Sequence, residues 1–132
     1  KILTEIKIQK PKAILLQIHK NKQQTDPIQT LINTYRRPHF NFNDYLTNTQ
    51  TLLTTINSKY PRTETTIIAD LNKDLLNLTP EHPFHDYLIE NNLHTTITTP
   101  TRYETTSRSN SSTLIDVILT TDTTTQIIVV LW

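Results

Sequence analysis

Ile67-Ile68-Ala69-Asp70-Leu71-Asn72 decides how this chain is read. It is an apolar run that stops on an acid and, two residues on, an amide. Apolar β-branched residues predict a buried strand, and the acid and amide then fall at the edge of a sheet. Equal side-chain parity lets Asp70 and Asn72 face one mouth. There the acid can hold a water and the amide can donate to a phosphate oxygen. The same residues also suit a plain Asx turn in which both side chains bond local backbone. From Asp-x-Asn alone both readings stand.

Composition narrows the field. The 132 residues suit one domain, and the formal charge of +1 gives no global basic field, so any contact with nucleic acid has to be local. No apolar run is long enough to cross a membrane, and no signal-peptide pattern is present. The absence of Cys excludes disulfides and thiolate metal sites, which fits an intracellular protein. Gly and Met are absent too, while Thr, Ile, Asn and Leu abound. The missing residues have guanine-rich codons, so a coding strand depleted in that base accounts for the pattern. The lack of an initiating Met reads as an internal piece of a longer product. Without Gly, Asn must supply left-handed turn positions, and Asn21, Asn57, Asn77 and Asn110 are the candidates.

On either side of that stretch, strands are expected at 2–8, 13–19, 28–35, 65–69, 94–98, 113–120 and 126–131. Residues 42–58 form an amphipathic helix with Phe42, Tyr45, Leu46, Thr49, Leu52, Leu53 and Ile56 on one face. Asn41 or Asn43 caps it. A shorter helix starts at Thr79-Pro80, burying Phe84, Tyr87 and Leu88. Residues 102–112 read as a polar surface loop. Strands and helices alternate, which predicts a mixed α/β arrangement with helices against a sheet.

Three other groups bear on chemistry. Tyr35-Arg36-Arg37-Pro38 ends a strand with a hydroxyl and two guanidiniums that suit phosphate, or it is an ordinary basic turn. Asp116, between Ile115 and Val117, is either a partnered buried acid or an edge acid facing water. Arg102 and Arg108 lie in the polar loop and could touch a nucleic-acid backbone. His82 and His85 read as a solvated helix face, since no third ligand follows at a telling spacing.

In order, Tyr35-Arg36-Arg37-Pro38, Ala69-Asp70-Leu71-Asn72, Pro100-Thr101-Arg102 and Leu114-Ile115-Asp116 resemble the Tyr-Arg-Pro-Pro, Gly-Asp-Phe-Asn, Pro-Thr-Arg and Leu-Ile-Asp series. That series belongs to the DNase I-like endonuclease/exonuclease/phosphatase superfamily, in particular to the endonuclease domains of non-LTR retrotransposons. The resemblance implies an α+β four-layer architecture, a β-sandwich flanked by helices, of which residues 1–132 are a partial domain. It implies magnesium-dependent cleavage of a DNA phosphodiester, within a longer retroelement polyprotein, in the nucleus. By the same resemblance Asp70, Asn72, Asp116 and Tyr35 are the catalytic candidates. Arg36, Arg37 and Arg102 are the DNA-binding candidates.

Departures temper the expectation. Ala69, Leu71 and Arg37 replace the motif Gly, Phe and first Pro. The family's upstream metal-binding Glu has no counterpart before Tyr35, and its Ser-Asp-His has none after Asp116. The metal ligands are therefore unassigned, and little or no hydrolysis is expected from this piece alone. The alternatives are a non-catalytic remnant that binds nucleic acid or another chain, and a phosphatase of the same fold.

Overall fold

A computed structural model describes residues 2–8, 12–23 and 25–122. Among these, eight strands and two helices follow one another. They are β1 (Ile2–Ile8), β2 (Ala13–His19), β3 (Gln29–Tyr35), α1 (Phe42–Lys59), β4 (Glu64–Asp70), α2 (Pro83–Glu90), β5 (His94–Thr95), β6 (Arg102–Thr105), β7 (Asn110–Thr113) and β8 (Asp116–Thr120). Six strands make one sheet in the order β1-β2-β3-β4-β8-β5, and β6 pairs with β7 in a small second sheet. The expected mixed α/β architecture, a many-stranded sheet with helices against it, is what the chain adopts.

Among the described residues the sheet's only parallel pair is β3 with β4, and a parallel pair needs a crossover. Helix α1 supplies it. Asn41 caps α1 by accepting from the Asp44 amide at 3.0 Å. Pro61 stands just past its end, where a helix cannot continue. Threonine is a poor helix former, yet α1 is rich in it. Thr49, Thr51 and Thr55 turn their hydroxyls back onto carbonyls one turn earlier, at 3.0, 3.1 and 2.9 Å. Tertiary burial of Tyr45, Leu46, Leu53 and Ile56 then holds the helix.

One face of the sheet carries Ala13, Leu15, Ile32, Ile67, Ala69, Val117 and Leu119, all buried in a single core with α1 and with Phe84 and Tyr87 of α2. The Thr34 hydroxyl meets the Tyr45 hydroxyl at 2.6 Å across this interface. The opposite face is partly open. Ile14 and Ile68 are each 43% exposed there.

Several boundaries differ from expectation for local reasons. Thr79-Pro80 does not start α2. The His82 amide bonds the Thr79 carbonyl, closing a turn, and His82 itself caps the helix by accepting from the Phe84 amide through Nδ1. Residues 102–112 are not a plain loop. They form most of the β6–β7 hairpin, whose turn is closed by Thr106 and Ser109 through backbone and hydroxyl. β8 begins at Asp116 rather than Thr113. Among the described residues the positive-φ ones are Asn72 and Asn92, not the four asparagines expected; Asn57, for one, sits inside α1. The strand expected at 126–131 lies outside the described residues.

Candidate active site

Three strand ends meet at one edge of the sheet. Because β3 and β4 are parallel, their last residues, Tyr35 and Asp70, finish side by side in register. Because β8 runs antiparallel to β4, its first residue, Asp116, lies directly opposite Asp70. The result is a row, Tyr35–Asp70–Asp116, across three neighbouring strands. Opposed residues of an antiparallel pair put their Cβ atoms about 5 Å apart, so two carboxylates share one spot on the open face. Asp70 and Asp116 are half-buried, and Tyr35 is 52% exposed. With Asn33, Ile68 and Ile97 they line a depression of about 400 Å³.

Asn72 reaches the site differently. Strand alternation stops at Asp70, and Asn72 adopts the left-handed conformation with φ 47°. Its amide donates to Asp70 Oδ1 at 3.1 Å, an Asx turn, and its Nδ2 donates to the Arg36 carbonyl at 2.8 Å. The Asp70 carbonyl in turn accepts from the Arg36 amide at 2.9 Å. Leu71, between them, is 1% exposed, and its amide bonds the Ile115 carbonyl at 2.8 Å.

Arg36 is buried at 5% exposure. Its Nε donates to the Leu71 carbonyl at 2.5 Å, Nη2 to the Asn72 carbonyl at 2.8 Å and Nη1 to the Phe40 carbonyl. The Phe42 ring lies 5.3 Å from the guanidinium carbon. Burial lowers the Arg36 pKa from its usual value, and the fields of Tyr45 and Asp70 oppose that shift. Arg36 thus binds the loop after β3 to the loop after β4. Arg37, by contrast, is exposed, and among the described residues its guanidinium takes no hydrogen bond or ion pair. Arg102 lies on the β6–β7 hairpin, paired with Glu104 and 55% exposed.

Two residues support the site: Asp74, which gave no sequence signal, and Thr101, which stands in the Pro100-Thr101-Arg102 motif but was given no role there. Asp74 accepts from the Leu114 amide at 3.1 Å and the Leu76 amide at 3.2 Å. Desolvation pushes its pKa up, but these bonds, with Asn77 and Lys73, prevail and hold it below the ordinary carboxylate range. Thr101 accepts from the Ile115 and Asp116 amides at 3.2 and 3.3 Å, fixing the start of β8. Asn33 was legible in principle, since it shares a strand face with Tyr35. His82 and His85 are engaged locally: His85 Nε2 donates to the Thr79 carbonyl at 3.1 Å.

A hard divalent cation takes carboxylate oxygens, and magnesium commonly uses one or two of them plus water and substrate phosphate. Asp70 and Asp116 meet that minimum. Among the described residues, however, no group of three or more His, Asp or Glu gathers to hold an ion. The donor set is short of a protein-made metal cage. Among the described residues, no helix is long and apolar enough to cross a membrane.

A six-stranded sheet backed by helices, with polar residues gathered where three strand ends converge, is a mixed α/β architecture consistent with a partial DNase I-like fold. Among solved structures, the endonuclease domain of TRAS1, a telomere-specific non-LTR retrotransposon, matches it with a TM-score of 0.67. The two are 17% identical; the match covers 91% of this chain and 56% of that domain, so this chain spans little more than half its length. At that identity the likeness is one of fold alone. No family model matches the sequence, and no curated protein does.

Proposed function

We propose that this chain is a DNase I-like module that binds nucleic acid through Tyr35 and Arg37, beside the Asp70–Asp116 pair at the sheet edge, and does not by itself cut it. The observation that carries the reading is the makeup of that edge. Two carboxylates oppose each other with no third acid or histidine among the described residues to complete a metal site. A phosphate brought to two carboxylates is repelled unless a cation lies between them. Beside them stand an exposed Tyr35 hydroxyl and the free Arg37, which suit a phosphate or a base without a metal. Arg36 is assigned a positioning role, because its donors serve backbone carbonyls. Asn72 shares that role, and Arg102 contributes only at the periphery.

A second reading has one observation in its favour, the row itself. In a complete domain Asp70 and Asp116 would hold magnesium, which neutralises charge on a phosphodiester, with Tyr35 and Asn72 at the phosphate. Residues 1–132 would then be part of a retroelement endonuclease working on DNA in the nucleus.

A supercoiled-plasmid assay with magnesium separates the two. The expected result is retardation of DNA on a gel with no nicking above buffer. Robust nicking that disappears in Asp70→Ala would overturn the first reading in favour of the second.

A further inference from the structure

The end of β3 and the turn after it expose two aromatic rings. Tyr35 is 52% exposed and Phe40 42%. With Arg37, Pro38 and His39 they line a groove of about 600 Å³ beside the acid row. Exposure here is not a sign of slack backbone. The Phe40 amide bonds the Arg37 carbonyl at 3.1 Å, and the Phe40 carbonyl is taken by the buried Arg36. Asn41, the next residue, is fixed as the cap of α1. Tyr35 is held by strand pairing with Asp70 and Phe40 by a turn anchored at both ends, and a preorganised surface loses little entropy on binding.

We propose that this groove takes unstacked bases of single-stranded nucleic acid, with Tyr35 and Phe40 offering ring faces and Arg37 meeting the backbone. The proposal rests on the nucleic-acid reading above and names its substrate class. Aromatic faces beside an unpaired guanidinium are the pattern of sequence-tolerant single-strand binding. Inside a duplex the base faces are already stacked and unavailable to the groove. The neighbouring carboxylates work in the same direction. They disfavour the two phosphate backbones of a duplex pressed against this edge, whereas a single strand can turn its backbone toward Arg37 and its bases toward the rings.

The test is fluorescence anisotropy on the whole chain with three labelled probes of equal length: oligothymidylate, its abasic counterpart and a duplex. Oligothymidylate is expected to bind more tightly than either of the others, a comparison that needs no variant. Phe40→Ala and Tyr35→Ala should each weaken oligothymidylate by about 5- to 100-fold, toward the abasic level. Phe40→Tyr, which keeps a ring, should retain binding. Arg37→Ala should weaken all three probes alike and lower the salt slope by about one. Equal binding of all three probes with Phe40→Ala silent overturns stacking and leaves the nucleic-acid reading standing. Failure of every probe to bind overturns both.

Discussion

Replacing Arg36 by Ala should destabilise the fold by about 3–5 kcal/mol, a large share of the stability of a domain this size. The figure follows from what the guanidinium holds. It makes three donations to carbonyls, those of Leu71, Phe40 and Asn72. A hydrogen bond from a charged donor contributes about 1.5–3 kcal/mol net. The full sum is not reached, because the Phe40 and Asn72 carbonyls lie in partly exposed bonds and regain water. The Leu71 carbonyl sits in a buried bond and recovers least. Arg36→Lys keeps the charge but not the planar fork, so it should recover less than half the loss. Arg37→Ala, one residue on and exposed, should stay within about 0.5 kcal/mol. Equilibrium urea unfolding of the three variants, read as midpoint shifts at constant slope, measures all of this. If Arg36→Ala cost under about 1 kcal/mol, the clamp between the loops would be unimportant and the reasoning wrong.

Other expectations are smaller or tied to pH. Thr65 is 1% exposed and its hydroxyl has no partner among the described residues; Thr65→Val should stabilise by about 1 kcal/mol, and a drop in thermal midpoint would count against an unsatisfied hydroxyl. Asp116→Asn should stabilise by roughly 0.5 kcal/mol at low salt, shrinking at high salt, because it removes a like charge opposite Asp70. A loss of stability there would mean that the Asp116 carboxylate has a favourable role in the fold. Burial pushes the Tyr45 hydroxyl up to about 12 from its usual 10.0, against the opposing effects of Thr34 and Arg36. The folded state thus favours the neutral phenol. Its contribution, about 3 kcal/mol, is complete below pH 10 and is lost as pH rises through about 12. Burial pushes Tyr87 in the same direction. Urea midpoints that stay flat across that window would refute this.

The sequence carried the frame of the fold because strand and helix periods differ. Parity of Ile and Thr along β2–β4 and the apolar stripe of α1 are strong local signals. The row Tyr35–Asp70–Asp116 was legible for a related reason: each residue ends or begins an apolar run, and runs that pair in register bring their ends together. Where partners decide, the signal failed. Arg36-Arg37 reads as a basic turn, and nothing local tells which guanidinium turns inward. That choice depends on three carbonyls, two of them from the loop after β4, over thirty residues away in sequence. The β6–β7 hairpin was missed because both its strands are exposed, so no apolar alternation marks them. His82 displaced Thr79 as the cap of α2 because Pro83, rather than Pro80, holds the first helical position.

The lack of Gly explains why structure and chemistry converge on the same three residues. A chain leaving β4 must reverse sharply to let Leu71 enter the core, and the turn needs a residue that tolerates positive φ. Asn72 is that residue, at φ 47°, and Asn is the most tolerant side chain the composition leaves. An Asn with positive φ is held most firmly when its own amide is bonded, and Asp70 Oδ1 provides that bond. The Asx turn and the candidate site are therefore not competing accounts of Asp70-Leu71-Asn72. One oxygen of Asp70 builds the turn, while its carboxylate still faces Asp116 across the strands. It follows that Asp70 has a cost to the fold when removed that Asp116 lacks. Asp70→Asn keeps an oxygen for the turn and Asp70→Ala does not. Loss of binding in Asp70→Ala alone would report the turn, and tighter binding in Asp70→Asn would report relief of the charge that repels phosphate.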